Sequence, residues 1–557
     1  MSSGHILRSI SRLVPFIFSL NCLNLISFGV APTDLAFKIN WRQINLISPA
    51  LAEEPNSARG GLPLGCQGVC NPQDFLFDED NDGVSNCVER GQQTDSCDAG
   101  SFIPRLQPAA CVGANGFLGQ VNIATILNQL SGPLTATAEY RDFAGVKLGG
   151  VAFTLSAKTK RDLIINDLGL KPDTYGTLCV FTDAQETGAW SGGITLYKPR
   201  IDDTPYQGLT RPQAFDFALY YPFENAKSDK SSAPLNVNSI GTGGVGIVAN
   251  WLRLIDALPN NGRGLSGVLR YYNAAGAVVN TDFVNIPDGG RFDYPAHDRL
   301  GKGQVGLAQF TPDDLRAEYY FESTRYFYEG TGTQSRNFHT AFAIPNRPLT
   351  GASVTGKAAS FSNERSLSVL EIINGSAAPV SATLRRFDST GNQVENSTIP
   401  IPAKGTLHRV VASAQAGASD NASAEISGPV ESLAPTTVIY AFGAEGQLLY
   451  GYAPTFSESA GTEQFTEFNS FIGHQNSLEI YNSTDASISG VVRVLSYDNK
   501  NLFSAPFQLL SRASGRTTLA LPHDTYGTIV VDAAATGLII RNDVVSPAQY
   551  VIPLSGR

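Results

Sequence analysis

From about residue 112 to the end of the chain, short runs of Val, Ile, Leu, Thr and Tyr alternate with turn residues at close spacing. Val491-Val-Arg-Val-Leu-Ser-Tyr497 and Ala382-Thr-Leu-Arg-Arg-Phe387 are representative. Alternation over four to eight residues predicts half-buried strands, and many such strands with frequent turns predict sandwiches. No strongly amphipathic helical stretch interrupts them. The expected class is all-β.

The pattern also repeats. Asp173-Thr-Tyr-Gly-Thr177 returns letter for letter as Asp524-Thr-Tyr-Gly-Thr528, each copy running into an apolar strand. The offset, 524 − 173 = 351 residues, is three periods of 117, and such periodicity decides the architecture of a chain. Three further landmarks recur in fixed order. A strand ends in Asn128, Asp256, Asn374 and Asn482. An aromatic-polar turn comes second, at Tyr140–Gly145, Tyr271–Gly276, Phe387–Gly391 and Tyr497–Asn501. A small or basic turn comes third, at 158–160, 288–290, 403–405 and 513–515. Asp, Asn and Gly belong in such turns because they tolerate positive φ. The identical pentapeptide predicts that Tyr175 and Tyr526 occupy one sandwich corner, buried, with the hydroxyl bonded to backbone.

The units expected are a leader over 1–52, a Cys- and Asp-rich segment over 53–111, and four sandwich repeats. Those repeats are drawn at 112–204, 205–333, 334–453 and 454–557. Each has enough apolar residues for a core, since these make up 42% of the chain. Arg8 and Arg12 precede an apolar stretch, 13–30, which is the order of a secretory signal. Asn21 and Asn24 interrupt that stretch, so no stable membrane span is expected after cleavage. Ser27-Phe-Gly29 and Ala50-Leu-Ala52 are alternative cleavage sequences. A net charge of −10, with no Lys/Arg cluster, argues against nucleic acid. The expected location is secreted or cell-surface.

Seven cysteines fit that compartment. Removal of Cys22 with the leader leaves Cys66, Cys70, Cys87, Cys97, Cys111 and Cys179, an even set for disulfides. The expected pairing joins Cys66, Cys70, Cys87 and Cys97 among themselves and Cys111 to Cys179; Cys97–Cys111 is an open alternative. Cys66-x3-Cys70 is the rival zinc reading, without a nearby His.

The sharpest motif is Asp78-Glu-Asp-Asn-Asp-Gly-Val-Ser-Asn-Cys-Val-Glu89, which fits D-x-D-x-D-G-x5-E without a mismatch. Asp78, Asp80 and Asp82 would supply carboxylate oxygens to Ca2+. Val84 would give its carbonyl, Asn86 the water-bridged position and Glu89 a bidentate carboxylate. With Thr94-Asp95 next in the chain, the segment resembles thrombospondin type 3-like repeats of secreted bacterial proteins, and the resemblance implies structural calcium. Gly91 and the missing second loop depart from a paired EF-hand. The tandem units resemble immunoglobulin-like sandwich repeats of exported bacterial proteins.

Gly241-Thr-Gly-Gly-Val-Gly246 has the dinucleotide spacing, but a strand rather than a helix is expected after it. No G-x-S-x-G, H-E-x-x-H or P-loop sequence is present, and the chain is read as a non-enzyme. Aromatic runs at Phe215–Phe223 and Tyr319–Tyr328 are either core strands or a platform for sugars. Asn374, Asn396, Asn421 and Asn482 begin N-x-S/T sequons. The sequence supports three readings: a calcium-binding adhesive scaffold facing an unknown protein or glycan surface, a carbohydrate-binding protein using aromatic strands, and an extracellular hydrolase with an unrecognised site.

Overall fold

The computed structural model describes residues 110–184, 188–199, 215–238, 245–259, 263–314, 316–330, 333, 338–344, 353–356, 365–414, 422–429, 432–454, 461–546 and 550–555. All of them fall in the unit Gly65–Arg557. The calcium motif, Cys66, Cys70, Cys87, Cys97 and the leader lie outside the described residues.

Eight antiparallel four-stranded sheets form four sandwiches of the same topology. In the first, the strands are β1 (Ala110–Asn115), β2 (Val121–Asn128), β3 (Leu134–Asp142), β4 (Lys147–Leu155), β5 (Lys160–Ile164), β6 (Tyr175–Thr182), β7 (Trp190–Pro199) and β8 (Phe215–Pro222). One sheet has the order β1-β6-β3-β4 and the other β5-β2-β7-β8. Repeats 2, 3 and 4 run from Ser231 to Ile344, Ser353 to Tyr452 and Glu463 to Ser555, in the same order. The all-β sandwich class is therefore borne out. The strand order is not that of an immunoglobulin domain, where the first strand joins the second and the seventh joins the sixth. Here the first pairs with the sixth and the seventh with the second.

Two boundaries move relative to the sequence reading. β8 hydrogen-bonds to β7, so repeat 1 continues past 204 to Pro222. The strand Phe338–Ile344 likewise closes repeat 2 rather than opening repeat 3. An eighth strand on the outer edge of the second sheet carries no landmark of its own, so in the sequence it reads as the start of the next repeat.

Alternation fills the cores. In Leu265–Asn273, the third strand of repeat 2, Leu265, Leu269 and Tyr271 point inward while Ser266 and Arg270 face out. The same period in repeats 3 and 4 buries Ala382, Leu384, Val492 and Val494.

The four sandwiches close on themselves. Cys111 and Cys179 of repeat 1 pack on Ile255 of repeat 2. Tyr272 and Leu307 of repeat 2 pack on Ile373 of repeat 3. The Tyr481 hydroxyl of repeat 4 donates to Glu425 of repeat 3 at 2.9 Å. Phe465, Leu495 and Val530 of repeat 4 pack on Leu127 of repeat 1. Leu127, Ile255, Ile373 and Tyr481 each stand one residue before the recurring Asn or Asp. One face-to-edge contact is thus used four times, and a head-to-tail contact whose rotation closes makes a ring. On the axis the eighth strands neighbour one another in a closed cycle. Ala218, Ala341, Gly451 and Val551 occupy equivalent axial positions. A Cβ on Gly451 would sit 2.5 Å from the Phe342 ring, so this close approach requires glycine.

Candidate functional site

Four kinds of position organise the ring: the strand-end amides, the turn cations, the buried ions at the seams and the axial pocket.

Asn128, Asp256, Asn374 and Asn482 do end the second strands, at equivalent points. Asn374 Nδ2 donates to the carbonyls of Ala378 (2.8 Å) and Pro402 (2.9 Å), and its Oδ1 accepts the Ser376 N–H (2.9 Å). Asn128 and Asn482 make the same set at the same spacings. Each amide therefore ties two turns to one strand end. Its burial also means that the Asn374 and Asn482 sequons are used inside the fold. In repeat 2 the loop after the second strand is three residues longer, from Asp256 to Leu265 against Asn128 to Leu134, so the strand-end N–H meets Gly290 O, 34 residues on, instead of a carbonyl 31 residues on. An N–H then faces the side chain, and Asp256 accepts it from Gly289 at 2.8 Å. Burial pushes the Asp256 carboxyl up to about 6, against the hydrogen bonds from Gly289 and Leu258.

A second amide stands six residues earlier. Asn122, Asn250 and Asn476 exchange hydrogen bonds with the end of the first strand, at Asn115, Asn236 and Asn469. The spacing Asn-x5-Asn/Asp in three repeats was a readable signal that strand-end landmarks alone did not reveal. Repeat 3 has Ser368 there.

Lys158, Lys404 and Arg512 occupy left-handed positions at φ 58°, 51° and 58°. Each reaches the carbonyl one residue past the recurring Asn and a side chain of the preceding repeat. Lys158 meets Gln129 O (2.8 Å) and Glu463 (2.8 Å). Lys404 meets Gly375 O and Gln309 Oε1 (2.7 Å). Arg512 meets Ser483 O and Glu425. Repeat 2 has Gly289 instead, and the sixth-strand position held by Gln309 and Glu425 in repeats 2 and 3 is Cys179 in repeat 1, bonded to Cys111. Arg291, two residues along, takes over by donating to Ala114 O (2.7 Å) and Gly176 O (2.6 Å).

The expected Cys111–Cys179 bridge is present, but it joins two strands already paired, β1 and β6, opposite one another. It staples the first strand of the ring rather than tethering a separate segment.

Every seam carries its own buried charges. Between repeats 1 and 2, Arg253 pairs with Glu322 (3.5 Å) and lies 4.5 Å from the Tyr221 ring. Burial raises the Glu322 carboxyl despite Arg253 and Arg291. Between repeats 2 and 3, Arg325 and Glu371 form a fully buried bidentate pair at 2.9 and 2.8 Å. Burial would raise Glu371, but the charges of Arg325 and His408 outweigh it and hold the carboxyl at about 2. Between repeats 3 and 4, Tyr452 of repeat 3 reaches Asp543 at 3.5 Å, beside Arg541 and Glu479 (2.6 Å apart). Between repeats 4 and 1, Lys160 meets Glu467 (3.5 Å) and Asp162 (3.6 Å).

The aromatic runs are mostly inside. Tyr319, Tyr320, Phe321 and Phe327 are buried, as are Phe217, Tyr221 and Phe223; these strands form core and seam, not a platform. One end of the axis opens into a small pocket of about 30 Å³, partly open to solvent. Tyr220, Ala343, Ala453 and Pro553, one from each repeat at equivalent positions, surround it, with Glu224 and Lys227 at its side. Tyr175 and Tyr526 do open the sixth strands of repeats 1 and 4. They are half-buried, not buried, and neither hydroxyl has a hydrogen-bond partner among the described residues. No cluster of three His, Cys, Asp or Glu able to hold a metal occurs among the described residues. No helix among them is long and apolar enough to cross a membrane.

No known protein family matches this chain, and no curated protein matches it. Solved structures give low-similarity matches: native Escherichia coli alpha-2-macroglobulin (10% identity, 79% of this chain, 28% of that one, TM-score 0.10) and its trypsin-activated form (10%, 81%, 37%, TM-score 0.08). A GH78 family rhamnosidase of Bacillus sp. GL1 gives 9% identity over 80% of this chain and 55% of that one, with TM-score 0.11. The chain spans at most about half the length of these proteins. At such scores they carry no argument about fold or activity.

Proposed function

We propose that this chain is an exported, surface-acting scaffold: a rigid four-sandwich ring that presents its turns to a partner, preceded in the sequence by a calcium-stabilised segment. The supporting observation is ring closure with a different buried charge set at each seam. Such pairs add little net stability when matched, but breaking one costs about 3–5 kcal/mol, so they favour one neighbour over another. A string of independent spacers would not need them. The ring holds its surface turns at fixed separations, which suits repeated contacts with an extended partner.

In this reading Asp78, Asp80, Asp82, Val84, Asn86 and Glu89 hold Ca2+ at the affinity of extracellular modules, roughly 10⁻⁴ to 10⁻³ M. The test is protease shaving of intact source cells combined with fractionation. Full-length chain in the medium or removable from the cell surface supports export; retention in the cytoplasm refutes it. Calorimetry then addresses the ion. Calcium heats that vanish in the Asp80→Ala, Glu89→Ala double variant support the loop, and equal heats from both proteins refute it.

A further inference from the structure

Three rings meet at one corner of repeat 1, each from a different turn. Phe117 and Phe143 lie 6.0 and 5.5 Å from Tyr175, and the Arg291 guanidinium of repeat 2 is 4.9 Å from the same ring. Repeat 4 has the same corner: Phe471 and Tyr497 lie 5.7 and 5.1 Å from Tyr526, and Lys160 Nζ of repeat 1 lies 5.0 Å away. The outermost rings are open to solvent, with Phe143 51% and Tyr497 43% exposed.

The fold does not require these rings. Repeat 2 forms the same eight strands with Asn238, Ala274 and Val305 at the equivalent positions. Yet the letters shared by repeats 1 and 4 concentrate here: the pentapeptide at 173–177 and 524–528, and Asn115-x-Phe117-x-Gly119-x-x-Asn122 matching Asn469-x-Phe471-x-Gly473-x-x-Asn476. The hydroxyls of Tyr175 and Tyr526 are unspent.

We propose that the two corners are twin binding sites for an uncharged pyranose polymer. Half-exposed aromatic faces stack on the C–H faces of sugar rings, while a phenol and nearby charged groups can hydrogen-bond ring hydroxyls. The rims carry both signs, with Lys171 and Asp173 in one turn and Asp498 and Lys500 beside the other, which favours a neutral ligand over a polyanion. A three-ring patch is small against the roughly 800 Å² that a stable protein partner covers on one side. Repeats 4 and 1 adjoin, so the corners sit one repeat apart and can engage one chain together, with a gain in avidity.

This deepens the adhesive reading and relies on it for biological setting, but purified protein suffices to test it. The experiment is affinity electrophoresis of the full chain through gels containing soluble xylan, mannan, mixed-linkage β-glucan or, as a polyanion, polygalacturonate. Tyr175→Val and Tyr526→Val copy the residue that repeat 2 already carries, so both should fold, as a thermal melt will verify. At least one neutral polymer should retard the wild type. Each single variant should weaken apparent affinity at least tenfold, and the double variant should run freely. Phe283→Ala, at a site 85% exposed and away from the corners, should behave as wild type. Free migration of the wild type in all neutral gels overturns the proposal, as does retardation by polygalacturonate alone or an unchanged double variant. Any of these removes the saccharide sites and leaves the scaffold reading to its own test.

Discussion

Asn374 and Asp256 close the same strand end with opposite polarity, because one faces carbonyls and the other an N–H. Putting a carboxylate at 374 would set it against the Ala378 and Pro402 oxygens. Asn374→Asp is therefore expected to cost about 2–4 kcal/mol at neutral pH, read by urea melts, whereas a loss under about 0.5 would contradict the pinning role. Asp256 makes its own pH signature. Its folded carboxyl titrates near 6 against an ordinary value near 4. Below pH 4 both folded and unfolded forms keep the proton, and stability is complete. As pH rises from about 4 to 6 the unfolded state ionises first, so up to about 3 kcal/mol is lost. Subtracting the profile of Asp256→Asn from that of wild type isolates this fall from the opposite contribution of Glu371. Superimposable profiles would rule it out. The strand-end residues were legible in the sequence because an Asn closing an apolar run is a local signal. Their polarity was not, since it depends on a turn some 30 residues away.

At the level of elements, the turn between the fourth and fifth strands carries strain for the sake of its reach. A non-glycine residue in the left-handed region costs about 1 kcal/mol, and Lys158, Lys404 and Arg512 accept it while gripping the preceding repeat. Lys404→Ala keeps the strain and loses the grip on Gln309 and Gly375, so it should be less stable than Lys404→Gly by about 1 kcal/mol. Equal denaturation midpoints for the two would mean the left-handed turn is unstrained. The Cys111–Cys179 bridge spans a sequence separation of 68 residues. By the chain-entropy estimate such a crosslink is worth about 4 kcal/mol. Cys111→Val with Cys179→Val preserves an apolar contact for Ile255, as Val530 does for Leu127. It should therefore lower stability by about 2–4 kcal/mol while leaving the ring closed by small-angle scattering. An expanded particle would show that the sulfurs hold the seam itself. The bridge was legible because Cys179 aligns with an apolar strand position. The eighth strands were not, since Phe215–Pro222 lies beyond the last landmark of repeat 1.

At the scale of the molecule, ring closure was the least legible property, since it depends on contacts such as Lys160 with Glu467, 307 residues apart, and Leu127 with Val530, 530 − 127 = 403 apart. Its consequence is that the seam between repeats 4 and 1 is equivalent to the three seams the chain crosses covalently. Ser555 ends the eighth strand of repeat 4 as Pro222 ends that of repeat 1, and their register partners, Arg541 and Gly193, are equivalent. Repeat 2 begins at Ser231, so residues 223–230 suffice to pass from one unit to the next. By the same geometry a flexible linker of about eight residues should join Ser555 to Ala110. A circular permutant carrying it, opened between Ile344 and Ser353, should fold to the wild-type radius of gyration and melt cooperatively. The cut would then fall between two repeats rather than inside a sheet, where chain breaks are better tolerated. The complementary variant reverses Lys158 and Lys160 to Glu, setting them against Glu463 and Glu467. It should open only this seam and raise the radius of gyration, and Glu463→Lys with Glu467→Lys should restore it. A permutant that fails to fold while the reversed-charge variant stays compact would mean that the fourth seam is incidental. The ring would then be an open arc whose ends merely touch.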